Sequence, residues 1–449
     1  MPINLSPQAL ARGSSRRPRT IIAVWSVVFL VAGALIVTLL GDALTTEVTF
    51  TNNPESQRGF DLLEERLRGP ERVNEVVIVR SGELTVEDAA FRGMVEGLFA
   101  DILALGDEVI AGGGHYYQPG NESMASTDGR TTILSFVMVG EVDEAGDNVH
   151  LLRKVVDEAD ENSDFQVLLT GTASVNKEFQ DLSAEDLRKG ETFAIPVALV
   201  ILILVFGALA AAIVPMLLAI VAIAVALGAS ALIGQVFEFS FFVVNMITMI
   251  GLAVGIDYSL LIVSRYREER GRGLDKLEAI AAAGATANRT VLFSGIMVGL
   301  ALLGMLIVPA TIFRSLAAGA ILVVIFAVLA SLTLLPAVLS LMGDRVNALR
   351  VPFIQRAGYG EQRRGGLWDR IARAVMRRPV VSLAVAGGLL LAAAIPALGL
   401  NTGFAGVSTM PDRLESKMGF DILEEQFSFG LVTPAEIVID GAIDSEPVQ

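Results

Sequence analysis

Apolar and polar positions along this chain separate on two length scales. On the long scale, runs of about 20 mostly apolar residues, enough to cross a bilayer as a helix, fall at 21–40, twice within 193–234, and at 241–264, 290–312, 316–342 and 380–400. The double run is predicted to turn near Ala211–Pro215. On the short scale, residues 41–191 switch between period-2 alternation and helical spacing. Strands are predicted at 75–80, 109–117, 131–140 and 165–172. Helices are predicted at 86–105, with Phe91, Met94, Val95, Leu98 and Ile102 on one face, and at 147–160. Residues 182–189 are expected to lead helically into the second span.

The order β-α-β-β-α-β is that of a split βαβ, ferredoxin-like sandwich. The predicted fold is therefore a polytopic α-helical membrane protein with an α+β domain inserted between spans 1 and 2. Architecture of this kind does not fix a function.

Charge sharpens the division. The 449 residues carry 49 acidic and 34 basic groups, a net −15, at a mean hydropathy of +0.59. Residues 41–191 hold 31 acidic and 12 basic groups, a net −19, which leaves +4 for the rest. An acidic domain in water beside a nearly neutral membrane part reconciles hydropathy with acidity. Five basic residues lie in 265–278 and nine arginines in 343–379, whereas 235–240 and 308–314 share one basic residue. With Arg12, Arg16, Arg17 and Arg19 ahead of span 1, the positive-inside rule places the N-terminus in the cytoplasm. Span 1 is too long for a signal-peptide core and no small-residue cleavage site follows it. The expected organisation is a cytoplasmic 1–20, span 21–40, extracytoplasmic 41–191, spans 2–6 within 192–342, a basic cytoplasmic linker 343–379, span 380–400 and a second outer segment 401–449.

Several chemistries are disfavoured. The acidic balance opposes nucleic-acid binding. Without cysteine there is no disulfide framework or thiolate site, and His115 and His150 stand apart from any cluster, so no metal or other cofactor is expected. No G-x-x-x-x-G-K-[ST] occurs, and Gly112–Gly114 continues into His-Tyr-Tyr rather than a phosphate loop. The energy for any transport must then come from a partner or an ion gradient.

The chain also repeats itself at an offset of about 360 residues. Arg16-Arg17-Pro18 matches Arg377-Arg378-Pro379, ESQRGFDLLEERL at 55–67 matches ESKMGFDILEEQF at 415–427, and EVVIV at 75–79 matches EIVID at 436–440. One repeat is a span, an outer domain and five spans. The second begins near Arg377, so residues 401–449 read as the start of a second outer domain, and the chain as the N-terminal part, or one half, of a twelve-span protein.

Span 4 holds the least expected residue. In GLAVGIDYSLLIVSRYREE, Asp257 lies within an apolar helix, where a central carboxylate costs roughly 2.5–3.5 kcal/mol. Desolvation favours the neutral form of such a group, as a proton relay requires. Tyr258 is placed to donate to or shield a carboxylate on another helix, and Ser294 in span 5 offers a hydroxyl. A structural Asp bonded to Ser or Thr, and a Ser294 bonded back to its own helix, are the alternatives. Gly251 and Gly255 form a G-x-x-x-G pair that admits a close neighbouring helix.

The string GIDYSLLIVSRYREE, the lead-in DLRKGETFAIPVALVILILVFGAL and the one-plus-five repeat resemble the MMPL family of bacterial lipid transporters, in the resistance–nodulation–division superfamily; the five-helix block also resembles a sterol-sensing domain. The resemblance implies paired Asp-Tyr dyads, of which Asp257-Tyr258 matches the first, and an outer porter domain for lipid or hydrophobic cargo. It further implies a proton-driven secondary transporter of the bacterial cytoplasmic membrane, not an enzyme. The second dyad has no counterpart here, which points to a complementary C-terminal half or oligomeric partner. A lipid-binding, sterol-sensing-like scaffold and a protein-export accessory subunit remain open alternatives.

Overall fold

Backbone groups in hydrocarbon must be satisfied within their own segment, and the long apolar runs meet that demand as helices. A computed structural model describes residues 6–46, 49–69, 72–161, 164–349, 367–400, 406–427 and 437–438. The helices are α1 (Pro7–Arg16), α2 (Pro18–Leu39), α3 (Glu55–Leu63), α4 (Ala89–Leu103), α5 (Val142–Glu161), α6 (Thr172–Phe206), α7 (Leu209–Ile233), α8 (Phe242–Gly271), α9 (Lys276–Leu303), α10 (Thr311–Leu329), α11 (Leu335–Met342), α12 (Leu367–Arg377), α13 (Pro379–Ala394) and α14 (Glu415–Gln426). The strands are β1 (Leu44–Thr45), β2 (Val73–Arg80), β3 (Ile110–His115), β4 (Thr131–Met138), β5 (Gln166–Gly171) and β6 (Phe239–Ser240). Among the described residues, seven helical segments are long and apolar enough to cross a membrane.

The chain divides into two units, Met1–Thr45 with Lys189–Gly403, and Thr46–Arg188 with Phe404–Gln449. In the first, small residues set the helix spacing, because lipid supplies no hydrophobic drive between helices. A Cβ on Gly228 of α7 would lie 2.7 Å from the Ala32 Cα of α2. The chain reverses at Gly207–Ala208, not near Ala211–Pro215. Gly207 adopts φ +64°, a left-handed conformation that ends a helix at little cost for glycine. Arg267 Nη1 donates to the freed Phe206 carbonyl at 2.8 Å, while Pro215 is carried inside α7.

Helix α9 also starts earlier than the apolar run at 290. Its first turns carry Ala279, Ala283, Gly284 and Ala287, all buried, and α1 packs over them, with Gly284 so close that a Cβ would sit 2.8 Å from the Ala11 Cβ. Ser340 Oγ of α11 donates to the Ser15 carbonyl at 2.8 Å, fixing α1 from its other side. Between α10 and α11 the helix widens into one π turn at Ala330–Leu334, where Trp25 Nε1 donates to Thr333 Oγ1 at 3.1 Å.

The second unit is built on a four-stranded sheet in the order β3-β4-β2-β5, with every neighbouring pair antiparallel. Val77 lies opposite Leu134 and Leu169, and Ile78 opposite Ile133 and Leu168. Alternate residues of a strand face opposite sides, so Val77 and Val79 join Phe91 and Val95 of α4 and Val149 and Leu152 of α5 in one core. Ile78 and Leu168 face the other way, against Ile422 and Leu423 of α14. The Gly112–Gly114 run lies within strand β3, and a Cβ on Gly113 would come within 2.6 Å of the Ser135 carbonyl. Among the described residues of the tail, α14 thus groups with 46–188. Most of 436–440 lies outside the described residues.

Two carboxylates, the buried Glu75 and the half-buried Glu415, tie this unit together. Glu75 of β2 is fully buried and accepts from the Ala173 and Ser174 amides at the start of α6, at 2.7 and 3.3 Å. Burial pushes its carboxyl above the ordinary range, against those hydrogen bonds and the field of Arg153. Glu415 of α14 accepts from the Leu169 amide at 2.7 Å and pairs with Arg153 at 3.4 Å, which also holds Glu178 at 2.7 Å. Burial raises Glu415 to about 7; the Leu169 amide and Arg153 pull it down, and Asp157 and Glu178 push it up.

The docked carboxyl holds its proton more tightly than a free one. Its contribution to seating α14 is complete below the ordinary glutamate range and is lost as pH rises through about 7. Amide exchange across α14, corrected for intrinsic rates, should be slower at about pH 5.5 than at about pH 8, and Glu415→Gln should abolish the difference. Equal protection of the wild type at both values would contradict this reading.

Candidate proton-relay site

The rotation of α8 decides what its polar residues meet. A Cβ on Gly251 would lie 2.4 Å from Ile223 Cγ1 of α7 and 2.7 Å from Val323 of α10. One on Gly255 would lie 2.8 Å from both Cα and Cβ of Ala219. Only a bare glycine face allows that approach, so the stripe Ile247, Gly251, Gly255, Tyr258, Ile262 and Tyr266 is buried. Successive residues on a helix are rotated by about 100°. Tyr258 therefore points inward, 5% exposed, while Asp257 lies on an exposed stripe with Met249, Ala253, Leu261 and Ser264. Asp257 makes no hydrogen bond or ion pair among the described residues.

Behind that stripe, the Tyr258 hydroxyl donates to Ser294 Oγ of α9 at 3.5 Å, the outer limit of such a contact. Gly295 makes the reach possible. A Cβ there would meet Val328 Cγ2 at 2.4 Å and lie 3.8 Å from the Tyr258 hydroxyl. Ser294 itself is exposed. The structure thus brings Tyr258 and Ser294 together and leaves Asp257 one residue away on a different face. Among the described residues, no group of three or more histidines and carboxylates comes together as metal ligands would.

The basic end of α8 does more than mark a membrane boundary. Arg265 and Arg272 both pair with Glu268 and the buried Glu269, at 2.6–2.8 Å. Arg270 pairs with Asp344, and Lys276 Nζ donates to the Ser340 carbonyl at 3.2 Å. These contacts lock the α8–α9 turn against the segment after α10.

Sequence patterning missed six polar residues. Glu75 was hidden because a strand with an acidic residue reads as solvent-facing on alternation alone. Arg153, Glu178 and Glu415 come together over long separations, although the repeated ESQRG/ESKMG block did mark Glu415. Tyr266 and Asn288 are fully buried polar residues. Asn288 stands out in the alanine-rich run AAAGATANRT, a signal that a span begun at 290 overlooks.

Residues 49–382 match the MMPL family. The chain belongs to that family. A Streptomyces coelicolor relative, SCO6666, whose name carries only a membrane assignment, is 31% identical over 97% of this chain and 60% of its own length. The mycolic acid-containing lipids exporter MmpL11 of Mycolicibacterium smegmatis is 33% identical over 62% of this chain and 29% of its own. The trehalose monomycolate exporter MmpL3 of Mycobacterium tuberculosis is 26% identical over 92% of this chain and 47% of its own. The chain thus spans between 29% and 60% of these curated relatives. Its MMPL membership and its apolar helices make it a multi-pass membrane protein.

The packing of α8 can be tested by adding one carbon. Gly255→Ala should lower the thermal stability of the protein in detergent by about 1–3 kcal/mol, through overpacking against Ala219. Gly299→Ala in α9, whose Cβ meets nothing within 4 Å, should be neutral or stabilising by up to about 1 kcal/mol. Equal behaviour of the two variants would refute the close α7–α8 approach.

Proposed function

We propose that this MMPL chain carries one half of the membrane machinery of a proton-driven exporter of lipids or other hydrophobic molecules, with Asp257 taking up and releasing the proton. The observation that carries this reading is the exposed position of Asp257 on a membrane-length helix, next to the buried Tyr258 and its contact with Ser294. A carboxylate turned to lipid costs roughly 2.5–3.5 kcal/mol, a strong incentive to meet protein or water there instead. On this reading the exposed stripe of α8 seats a second set of membrane helices, from a longer polypeptide or a complementary chain. The repeated block that forms α14 supports a two-repeat architecture.

Protonation of Asp257 removes a charge from that seat, changes the bonds between the two sets of helices and rocks one against the other. The outer part, 41–191, serves as a porter domain through which cargo passes. Its strand order, with two helices on one face of the sheet, supports a ferredoxin-like fold. The names of the MmpL3 and MmpL11 relatives support a lipid cargo. The excess of arginine in 343–379 supports a cytoplasmic N-terminus in the bacterial cytoplasmic membrane.

Asp257→Asn keeps the size of the side chain and removes its acidic proton. In cells expressing the whole transporter, that variant should accumulate at wild-type levels while lipid delivery to the outer surface falls to background. Export at the wild-type rate under an intact proton gradient would defeat the proposal.

A further inference from the structure

Two membrane-buried polar side chains near the relay are served by no protein group. Asn288 of α9 is 0% exposed, and neither its Nδ2 nor its Oδ1 has a hydrogen-bond partner. Tyr266 of α8 is likewise 0% exposed with an unpartnered hydroxyl, and Ser259 Oγ is buried and unpartnered on the same helix. A serine bonds back to its own helix readily. An asparagine amide with both ends unmet does not, and each orphaned group costs roughly 1–3 kcal/mol.

Their position is informative. A short turn joins α8 and α9, which therefore run antiparallel, and Tyr258 opposite Ser294 sets their register. Counting toward the arginine-rich end, Asn288 lies about 9 Å from Ser294 along the helix axis and Tyr266 about 12 Å from Tyr258. That register puts Asn288 level with the turn between Ile262 and Tyr266. The side of α9 that carries Asn288 also carries the buried Ala287 and Val291. Neither end of the amide finds a hydrogen-bond partner there.

We infer that Asn288 and Tyr266 form a water-binding station between α8 and α9, which passes protons between the Tyr258–Ser294 pair and the arginine-rich end of the bundle. The station rests on the proton-driven reading of this MMPL chain. Water suits the site because it both donates and accepts, as the amide and the phenol together require. A buried water typically makes two to four hydrogen bonds, within the capacity of Asn288 and Tyr266. At each hop one O–H bond breaks as the next forms, so no net bond is made or lost. The proton moves along hydrogen bonds, and each group returns to its starting state when the chain of bonds reorients.

Radiolytic hydroxyl labelling tests the station directly, since radicals born from a held water mark the side chain beside it. In the whole transporter in a bilayer, Tyr266 should be labelled several-fold faster than Phe206, an aromatic of the same core that is 3% exposed, after correction for intrinsic reactivity. Asn288→Leu should bring Tyr266 down to the Phe206 rate and slow proton uptake into reconstituted vesicles several-fold, with Asp257 intact. Labelling of wild-type Tyr266 at the Phe206 rate would overturn the station without recourse to any variant. So would unchanged labelling or undiminished proton uptake in Asn288→Leu. Normal proton uptake in Asp257→Asn, in contrast, would defeat the relay reading alone, because that variant leaves the station's own groups in place.

Discussion

The close approach of α7 and α8 is the contact on which the rest of the membrane unit depends. Gly251 and Gly255 lie so near Ile223 and Ala219 that α8 has a single rotation open to it. That rotation commits one side of the helix to the core and the other to whatever surrounds the bundle. Asp257 and Tyr258 are adjacent in sequence, yet helical geometry forbids them a common face. The phenol is drawn into the core to meet Ser294, and the carboxylate is left at the surface. Asp257 and Tyr258 therefore serve two different faces of α8, one at its surface and one in the core.

The sheet-bearing unit follows a different rule, in which buried charge replaces small residues as the means of fixing position. Glu75 binds strand β2 to the first amides of α6. Arg153 gathers Glu178 and Glu415, so α14 is held to β5 by a carboxylate as well as by Ile422 and Leu423. Such contacts trade desolvation for direction, and breaking one partner leaves the other exposed to the full penalty. They also make the seat of α14 responsive to protons, which a purely apolar seat would not be.

Much of this was legible in the sequence, for definite physical reasons. Strands β2 and β4 and helices α4 and α5 fall close to where alternation and helical spacing placed them, because one face of each is buried and the other is not. The membrane helices were visible because hydrocarbon demands length. Their ends were less so: Gly207 ends α6 by backbone conformation and by an arginine sixty residues away, which no local window sees. Helix α1 escaped notice because its burial depends on Ala11 meeting Gly284. The in-or-out orientation of α8 was also hidden, since apolar residues surround Asp257 on every side of the helix. Only the glycine pair hinted at it.

In the proposed mechanism Asp257 is the group that carries the proton. Infrared difference spectroscopy on the transporter in a bilayer, cycled between acidic and alkaline buffer, reads protonated carboxyl groups directly. In a Glu415→Gln background, which removes the carboxyl raised to about 7, a carboxyl C=O component should be lost in Asp257→Asn and retained in Asp344→Asn, whose carboxylate pairs with Arg270. A full band in Asp257→Asn would contradict it.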